Sequence, residues 1–149
     1  MAQNPTLDEK DLAILRLLAL NGRMPFTEIG RRVGLSDVAV IKRVRRLESS
    51  GVIKRYTIEV DPAKLGYRAV SITGIDTEPQ NLFQVVEKLK AMDCVKYIAL
   101  TSGDHSVMTI IWARDGDDMA RIHESISKLP GVKRVCPAVI LEVFKDERV

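Results

Sequence analysis

The fold of the N-terminal part is decided by the stretch TEIGRRVGLSDVAVIKRVRRLESSG, residues 27–51. We predict a short helix from Thr27, which can cap its start, to about Val33. A longer helix should run from a second capping residue, Ser36, to about Ser50. A glycine follows each helix and is a typical stop. Because only three residues separate the two helices, the stretch predicts a helix-turn-helix.

A further helix is predicted upstream of this pair. Thr6 and Glu9 have the spacing of a capping box, so the helix should begin near Leu7. Asn21 and Gly22 supply its end. Its apolar stripe consists of Leu12, Ile14, Leu15 and Leu18.

The longer helix has two chemically different sides. The apolar side consists of Val40, Val44 and Leu47. The opposite, largely acid-free side consists of Val38, Ala39, Lys42, Arg45 and Arg46, with Arg43 on its flank. In a helix-turn-helix such a side enters the major groove of DNA, where early residues meet base edges and later basic residues meet phosphates. Val38 and Ala39 are expected to contact thymine methyl groups. Lys42 or Arg46 is expected to donate to guanine.

Two other sets of polar residues join the predicted DNA contacts. Thr27 and Ser36 stand at the helix starts. Residues 52–60 are rich in β-branched side chains and predict an extended wing, which would place Lys54 and Arg55 beside the DNA backbone. A basic helix face is often only a solvated one. Here the short turn, the caps and the basic face coincide, which favours DNA.

Charge and turn residues suggest how the chain is divided. The net charge is +3, but the basic excess lies in the N-terminal part and is concentrated between Lys42 and Arg55. Asp61 and Pro62 end the predicted wing. We therefore expect a DNA-binding domain at 1–60, a hinge at 61–66 and a second domain at 67–149.

The second domain has the pattern of an α+β fold. Strands are predicted near residues 69–75, 95–101, 107–113 and 135–144. The apolar stripes of the two helices between them consist of Leu82, Val85, Val86 and Leu89, then Met119, Ile122, Ile126 and Leu129. The order βαββαβ is ferredoxin-like. Strands three and four are apolar on both faces, whereas both helices cover only one, so a second copy of the domain is the simplest cover for the other.

Several other classes of function have no support in the sequence. Cys94 and Cys136 lack C-x-x-C spacing and a neighbouring histidine, so we predict reduced, buried thiols and no metal site. His105 has no evident partner, and His123, near an apolar stripe, is expected to be a hydrogen-bonded structural residue. No motif of an enzyme active site is present. With no long apolar run and no signal-peptide pattern at the start, we expect a cytoplasmic protein with no membrane association.

The sequence resembles the Lrp/AsnC (feast/famine) transcriptional regulators over nearly its whole length. The resemblance rests on Leu7-Asp8 with Asp11 and Ile14-Leu15, on Gly34-Leu35-Ser36, on Arg43 to Glu48 followed by Gly51-Val52-Ile53, on Asp61-Pro62 with Leu65-Gly66, and on Leu129-Pro130-Gly131-Val132. It implies a winged helix-turn-helix, a hinge and an effector domain. It also implies homodimers formed through the C-terminal sheets, often assembled into octamers of four dimers.

The resemblance further implies an amino acid or related metabolite as effector and no other cofactor. The effector binds near the loop between the second and third strands, here residues 101–106. The effector positions that the resemblance suggests are Thr101, Gly103, Asp104, His105 and Pro137. The family usually has aspartate where Ser106 stands and threonine where Pro137 stands.

Two other functions are alternatives to a ligand-dependent regulator. Single-stranded RNA binding on a ferredoxin-like sheet needs stacking aromatic residues on the central strands, and the third strand has none at Val107, Met108, Ile110 or Ile111. The stronger alternative is an architectural, chromatin-like protein with the same DNA contacts and no ligand. Binding measurements with a panel of amino acids separate that protein from a regulator.

Overall fold

The computed structural model describes residues 6–147, which form two compact units. The first comprises residues 6–59 together with 145–147, and the second comprises 60–144. Residues 1–5 and 148–149, at the outer ends of the predicted domains, lie outside the described residues, and the start of the chain, where no signal peptide is expected, belongs mostly to the first of these ranges. The hinge at 61–66 stays a prediction. Within it, Ala63–Leu65 forms a 3₁₀ turn.

The first unit is a three-helix domain. Its helices are α1 (Glu9–Leu20), α2 (Phe26–Val33) and α3 (Asp37–Ser49). They enclose a core that consists of Ile14, Met24, Ile29, Val33, Val40, Val44 and Leu47. The predicted buried side of α3 is therefore confirmed, and α2 with α3 forms the predicted helix-turn-helix.

The predicted start of α1 is wrong by two residues. Asp8, not Thr6, is the N-cap: its carboxylate accepts from the Asp11 amide at 2.8 Å, and the Asp11 carboxylate accepts from the Asp8 amide at 3.1 Å. A capping box therefore forms two residues later than predicted, with an aspartate at each of its two positions. The apolar stripe is also narrower than predicted, because Leu12 is exposed while Asp11 and Ile14 are fully buried.

The caps of α2 and α3 differ from each other. Thr27 does not cap α2, which begins at Phe26 after Pro25 and has no side-chain cap. Thr27 is instead an exposed residue of the first turn. Ser36 caps α3 as predicted, since its hydroxyl accepts from the Ala39 amide at 3.2 Å.

Two glycines allow the tight connection between α2 and α3. Gly34 ends α2 at φ 70°, in the left-handed region that glycine adopts without strain. Gly30 lies where the turn crosses α2, and a Cβ there would stand 2.6 Å from the Leu35 carbonyl oxygen. The absent side chain lets the turn at Leu35 pass close to α2.

The predicted wing strand is not formed. Residues 52–60 have no regular secondary structure, and no strand of the described chain pairs with them. β-branched residues favour an extended backbone, but a β-strand needs a neighbour to complete its hydrogen bonds. The segment instead packs locally: Val52 and Ile53 contact the three-helix core, and the Tyr56 hydroxyl donates to Glu48 Oε1 at 2.6 Å.

The second unit has the predicted βαββαβ order. Its elements are β1 (Ala69–Thr77), α4 (Leu82–Lys90), β2 (Val95–Leu100), β3 (Val107–Ala113), α5 (Gly116–Ser127) and β4 (Val132–Val139). The strands form one antiparallel sheet in the order β2-β3-β1-β4. This is the ferredoxin-like arrangement, so the α+β prediction is confirmed.

The last strand was predicted too late in the sequence. It begins at Val132 rather than 135 and ends at Val139, with a final bond from the Ile140 amide to the Val70 carbonyl. Leu141, Val143 and Phe144 continue an apolar alternation, but they are exposed and lie beyond the strand. The alternation of apolar residues alone does not reveal where β1 stops pairing with β4.

Both helices cover one face of the sheet. The buried core beneath them consists of Ala69, Ile75, Val85, Leu89, Val107, Ile111, Ala113, Met119 and Ile126. The predicted structural role of His123 is confirmed, because its Nε2 lies 2.8 Å from the hydroxyl of buried Thr73. Burial lowers the pKa of His123.

The other face of the sheet carries apolar side chains, and neither α4 nor α5 covers it. We call it the open face. Its apolar residues are Val70, Ile72, Tyr97, Ala99, Met108, Ile110, Trp112 and Ala138. Ile72 is 42% exposed and Tyr97 54%. The two-faced pattern predicted for the third strand is confirmed, and that of the fourth extends only to Val139.

Candidate nucleic-acid interface and effector site

The exposed side of α3 brings together most of the residues predicted to contact DNA. Val38 is 75% exposed although it is apolar. Lys42 and Arg45 are exposed, and neither forms an ion pair with a described residue. Ala39 is half-buried beside them. An apolar tip followed by two unpaired cations on one helix matches the chemistry of thymine methyl groups, guanine acceptors and phosphates.

Arg43 and Arg46 differ from this set because α1 supplies carboxylates to them. Nη1 of Arg43 lies 2.7 Å from Asp8 Oδ2 and 2.8 Å from Asp11 Oδ1, while Nη2 of Arg46 lies 2.5 Å from Asp11 Oδ2. The Arg43 hydrogen bond lowers the pKa of Asp8, and the same bond raises the pKa of Arg43. The outer face is therefore not acid-free on this flank, contrary to the prediction.

The chain after α3 adds exposed cations. Lys54 and Arg55 are exposed and form no ion pair with a described residue. Tyr56, next to them, is tied to Glu48 of α3. Its partial burial, together with the Glu48 carboxylate, raises the pKa of Tyr56 to about 12. The tyrosine thereby anchors this segment to α3 without a β-ladder.

The predicted effector loop does join β2 to β3. The Thr101 amide donates to the Ser106 carbonyl at 3.1 Å, and the Thr101 hydroxyl donates to the His105 carbonyl. Gly103 and Asp104 are exposed at its tip. Ser106 fixes the loop to β1, since its hydroxyl donates to the Ile75 carbonyl at 3.3 Å. The loop is a closed turn with an accessible tip.

His105 has partners that the sequence did not reveal. Its Nδ1 lies 3.0 Å from Asp76 Oδ1, and Nε of Arg134 donates to Asp76 Oδ2 at 2.8 Å. The hydrogen bond with His105, followed by that with Arg134, lowers the pKa of Asp76. Cys136 stands beside them, so the expectation that no histidine neighbours a cysteine is wrong. Asp76 lies on β1, Arg134 and Cys136 on β4, and His105 in the loop before β3, so only the pairing of the strands brings them together.

Pro137 is not part of this group. It lies on β4 opposite Thr73, and neighbouring strand residues point to opposite faces. Its side chain is therefore on the other side of the sheet from Cys136. Within one chain, the structure brings together four of the five suggested effector positions and leaves Pro137 apart.

No helix among residues 6–147 is both long and apolar enough to span a lipid bilayer. The described chain thus has a helix-turn-helix with exposed cations that form no ion pair within residues 6–147, and an αβ domain with an anchored loop.

Comparisons with known proteins agree with both parts. Family models described as the AsnC-type helix-turn-helix domain and the Lrp/AsnC ligand binding domain match residues 7–48 and 70–149. The HTH-type transcriptional regulator LrpA of Pyrococcus horikoshii is 52% identical over 140 residues, covering 93% of this chain and 99% of that protein. The regulator Ptr1 of Methanocaldococcus jannaschii is 33% identical, covering 94% and 95% of the two chains.

A solved structure extends the likeness to three dimensions. The feast or famine regulatory protein of M. tuberculosis, complexed with L-methionine, has a TM-score of 0.86 and 28% identity, covering 97% of this chain and 98% of that one. The named relatives are regulators of transcription. The chain therefore belongs to the Lrp/AsnC family and is a transcriptional regulator with a helix-turn-helix DNA-binding domain and a ligand-binding domain.

Proposed function

We propose that α3 is the recognition helix and that its exposed side reads double-stranded DNA. Val38 and Ala39 contact thymine methyl groups, and Lys42 donates to guanine. Arg45 contacts phosphate. The observation that carries this assignment is the exposure of Val38 next to Lys42 and Arg45, which have no ionic partner among the described residues.

The two paired arginines have a different role in this proposal. Arg43 binds both Asp8 and Asp11, so it orients α3 against α1. Arg46 binds Asp11 through Nη2, but half of its side chain is exposed, which leaves other donors for a phosphate. Thr27, Ser36, Lys54 and Arg55 are exposed polar groups suited to the DNA backbone. Binding assays on duplex DNA with single alanine variants test each role.

We also propose that an amino acid or related metabolite binds near the loop of residues 101–106. The loop tip at Gly103 and Asp104 is accessible, while Thr101 and His105 fix its base. The related M. tuberculosis protein was solved with L-methionine, which supports this class of ligand. Calorimetry with the individual amino acids tests it. If no amino acid binds, the architectural alternative replaces this part of the proposal.

The assembly we propose is a homodimer formed through the open face, with four dimers as the larger form. Ile72, Met108 and Ile110 form an apolar surface that neither α4 nor α5 covers. A second copy covers it with a surface of matching chemistry, as a two-fold interface requires. Sedimentation of the full chain tests the oligomeric state. We assign the chain no catalytic activity and a place in the cytoplasm, where it reaches the DNA.

A further inference from the structure

We propose that Asp76, His105 and Cys136 form a binding site for a borderline divalent metal ion, with Zn²⁺ as the best match. These are the only three His, Cys, Asp and Glu residues of the described chain that form such a group, and their ligand atoms all lie within 4.8 Å of one another. The site lies wholly in the second unit. It is independent of the proposed DNA contacts.

The strand register builds the site. Cys136 on β4 stands directly opposite Gly74 on β1, and Asp76 follows two residues later on the same face. The imidazole of His105 lies on Gly74: a Cβ there would be 2.1 Å from Cδ2 of the ring. The missing side chain thus places the ring between the thiol and the carboxylate.

The loop that carries His105 is held in position. Ser106 bonds to the β1 backbone on both sides: its hydroxyl donates to the Ile75 carbonyl and accepts from the Thr77 amide, each at 3.3 Å. Gly74, Asp76 and Cys136 lie at the edge of the open face, on the same side of the sheet as Ile72 and Ala138. In the single chain the side chains of His105 and Asp76 are each 22% exposed, so an ion can enter from solvent before a second copy covers this face. The three ligands are therefore held close together on anchored segments of the second unit.

The spacing is close to that of a metal site. Tetrahedral coordination at usual zinc bond lengths puts nitrogen, oxygen and sulfur ligands roughly 3.4 to 3.6 Å apart. That separation lies between two distances in the structure. His105 Nδ1 is 3.0 Å from Asp76 Oδ1, and all three ligand atoms lie within 4.8 Å of one another. A shift of about 1 Å at the loop would bring the more distant ligand atoms to that separation and lengthen the His105–Asp76 contact slightly, and a water molecule would be the fourth ligand.

The ligand set selects the ion. One imidazole, one thiolate and one carboxylate suit Zn²⁺ better than Mg²⁺ or Ca²⁺, which prefer oxygen alone. On binding, the Cys136 thiol gives its proton to solvent, and its sulfur and the Asp76 carboxylate balance the two positive charges. Arg134 holds the other oxygen of Asp76 and so orients the ligand from outside the site.

The chain offers matched controls, because it has only two cysteines and two histidines. The experiment uses the full chain without an affinity tag, stripped of metal and kept reduced. Zn²⁺ is titrated in competition with a chromophoric chelator. Co²⁺ is titrated separately, to detect a thiolate-to-metal charge-transfer band. We expect one ion per chain and a tetrahedral Co²⁺ spectrum.

The variants decide whether these residues hold the ion. Cys136→Ser and His105→Gln should each weaken Zn²⁺ binding by about 100-fold or more and abolish the charge-transfer band, whereas Arg134→Gln should cost about 10-fold. Cys94→Ser should leave both signals unchanged. Circular dichroism verifies that each variant is folded. The proposal is overturned if the unchanged chain binds no Zn²⁺ at micromolar concentration, or if binding survives in both folded variants.

Discussion

The carboxylate of Asp11 is fully buried and accepts a hydrogen bond of 2.8 Å from Nη1 of Arg43, 32 residues further along the chain. Its second oxygen accepts from Arg46. One carboxylate on α1 therefore fixes two cations on the flank of the proposed recognition helix. These hydrogen bonds hold α3 against α1, so they help to fix the position of the proposed DNA-binding surface.

Asp11→Asn should destabilise the protein by about 2 kcal/mol. Breaking a buried ion pair usually costs more, but Arg43 and Arg46 are partly exposed and water can hydrate them after the change. The check is the free energy of unfolding measured with urea. Glu28→Gln, in an exposed set of ion pairs on α2, should have a much smaller effect. Equal stabilities for Asp11→Asn and the unchanged chain would contradict the structural role of this residue.

Lys42→Ala should weaken binding to the preferred duplex by about 1 to 3 kcal/mol and relax specificity at one position, because its side chain is proposed to read a base. Arg45→Ala should weaken binding to all duplexes alike and reduce the log-log salt slope by about one, because it is proposed to contact phosphate. Fluorescence anisotropy over a range of salt concentrations measures both. Lys88→Ala, on α4, is the control. Unchanged affinity and slope in the double variant Lys42→Ala/Arg45→Ala would refute the assignment of α3.

The preferred DNA site should be an imperfect palindrome whose half-sites lie about one helical turn apart, or a multiple of it, because a two-fold dimer presents two recognition helices to one face of the duplex. Insertion of about five base pairs between the half-sites should abolish most of the affinity, and insertion of about ten should restore part of it. Gel-shift titration of a spacing series measures this dependence. A smooth decline with spacer length would rule out binding to one face of the DNA.

Ile110→Glu should break the proposed dimer, since it puts a charge in the middle of the open face. Analytical ultracentrifugation of the full chain should give a smaller species than the unchanged protein does. Phe83→Glu is the matched control, because Phe83 is 72% exposed on α4 and away from the open face. If Ile110→Glu sediments like the unchanged chain, another surface forms the dimer.

The stability of the second unit should depend on the protonation of His123. Burial lowers the pKa of His123 in the folded chain below its unfolded value of about 6.5. The unfolded chain then binds more protons, so this contribution is present above about pH 6.5 and is lost as the pH falls. His123→Gln should make the free energy of unfolding depend less on pH in this range. Urea unfolding from pH 5 to pH 8 compares the slopes, and identical slopes would show that His123 does not contribute.

The sequence pattern sufficed to place the helices and the βαββαβ order of elements along the chain, apart from some of their ends. Val40, Val44 and Leu47 repeat at helical spacing, and β3 alternates with the period of a strand, so local periodicity identified the buried sides. The errors occurred where distant partners decide the structure. Residues 52–60 have strand-forming side chains but no pairing neighbour.

For the candidate sites too, local periodicity placed the residues of one helix, and contacts between distant residues could not be predicted. Lys42 and Arg45 could be placed from the helical repeat of α3 alone. The pairing of Asp11 with Arg43 spans 32 residues, and that of Asp76 with Arg134 spans 58, so no local pattern indicates either. Likewise, His105 and Cys136 meet only because β1 lies between β3 and β4 in the sheet. A neighbour set by sheet order cannot be read from spacing along the chain.

Gly30 carries no side chain, so the turn that leads into α3, the proposed recognition helix, lies directly against α2. Any larger residue would push against the Leu35 carbonyl and tilt α3 away from α2, because backbone cannot yield as a flexible side chain can. A Gly30→Ala chain would keep every base-reading group and yet present them at the wrong angle to the groove. The variant would then lose affinity for its DNA site, as a variant of a DNA-contacting residue does, although residue 30 itself faces no nucleotide.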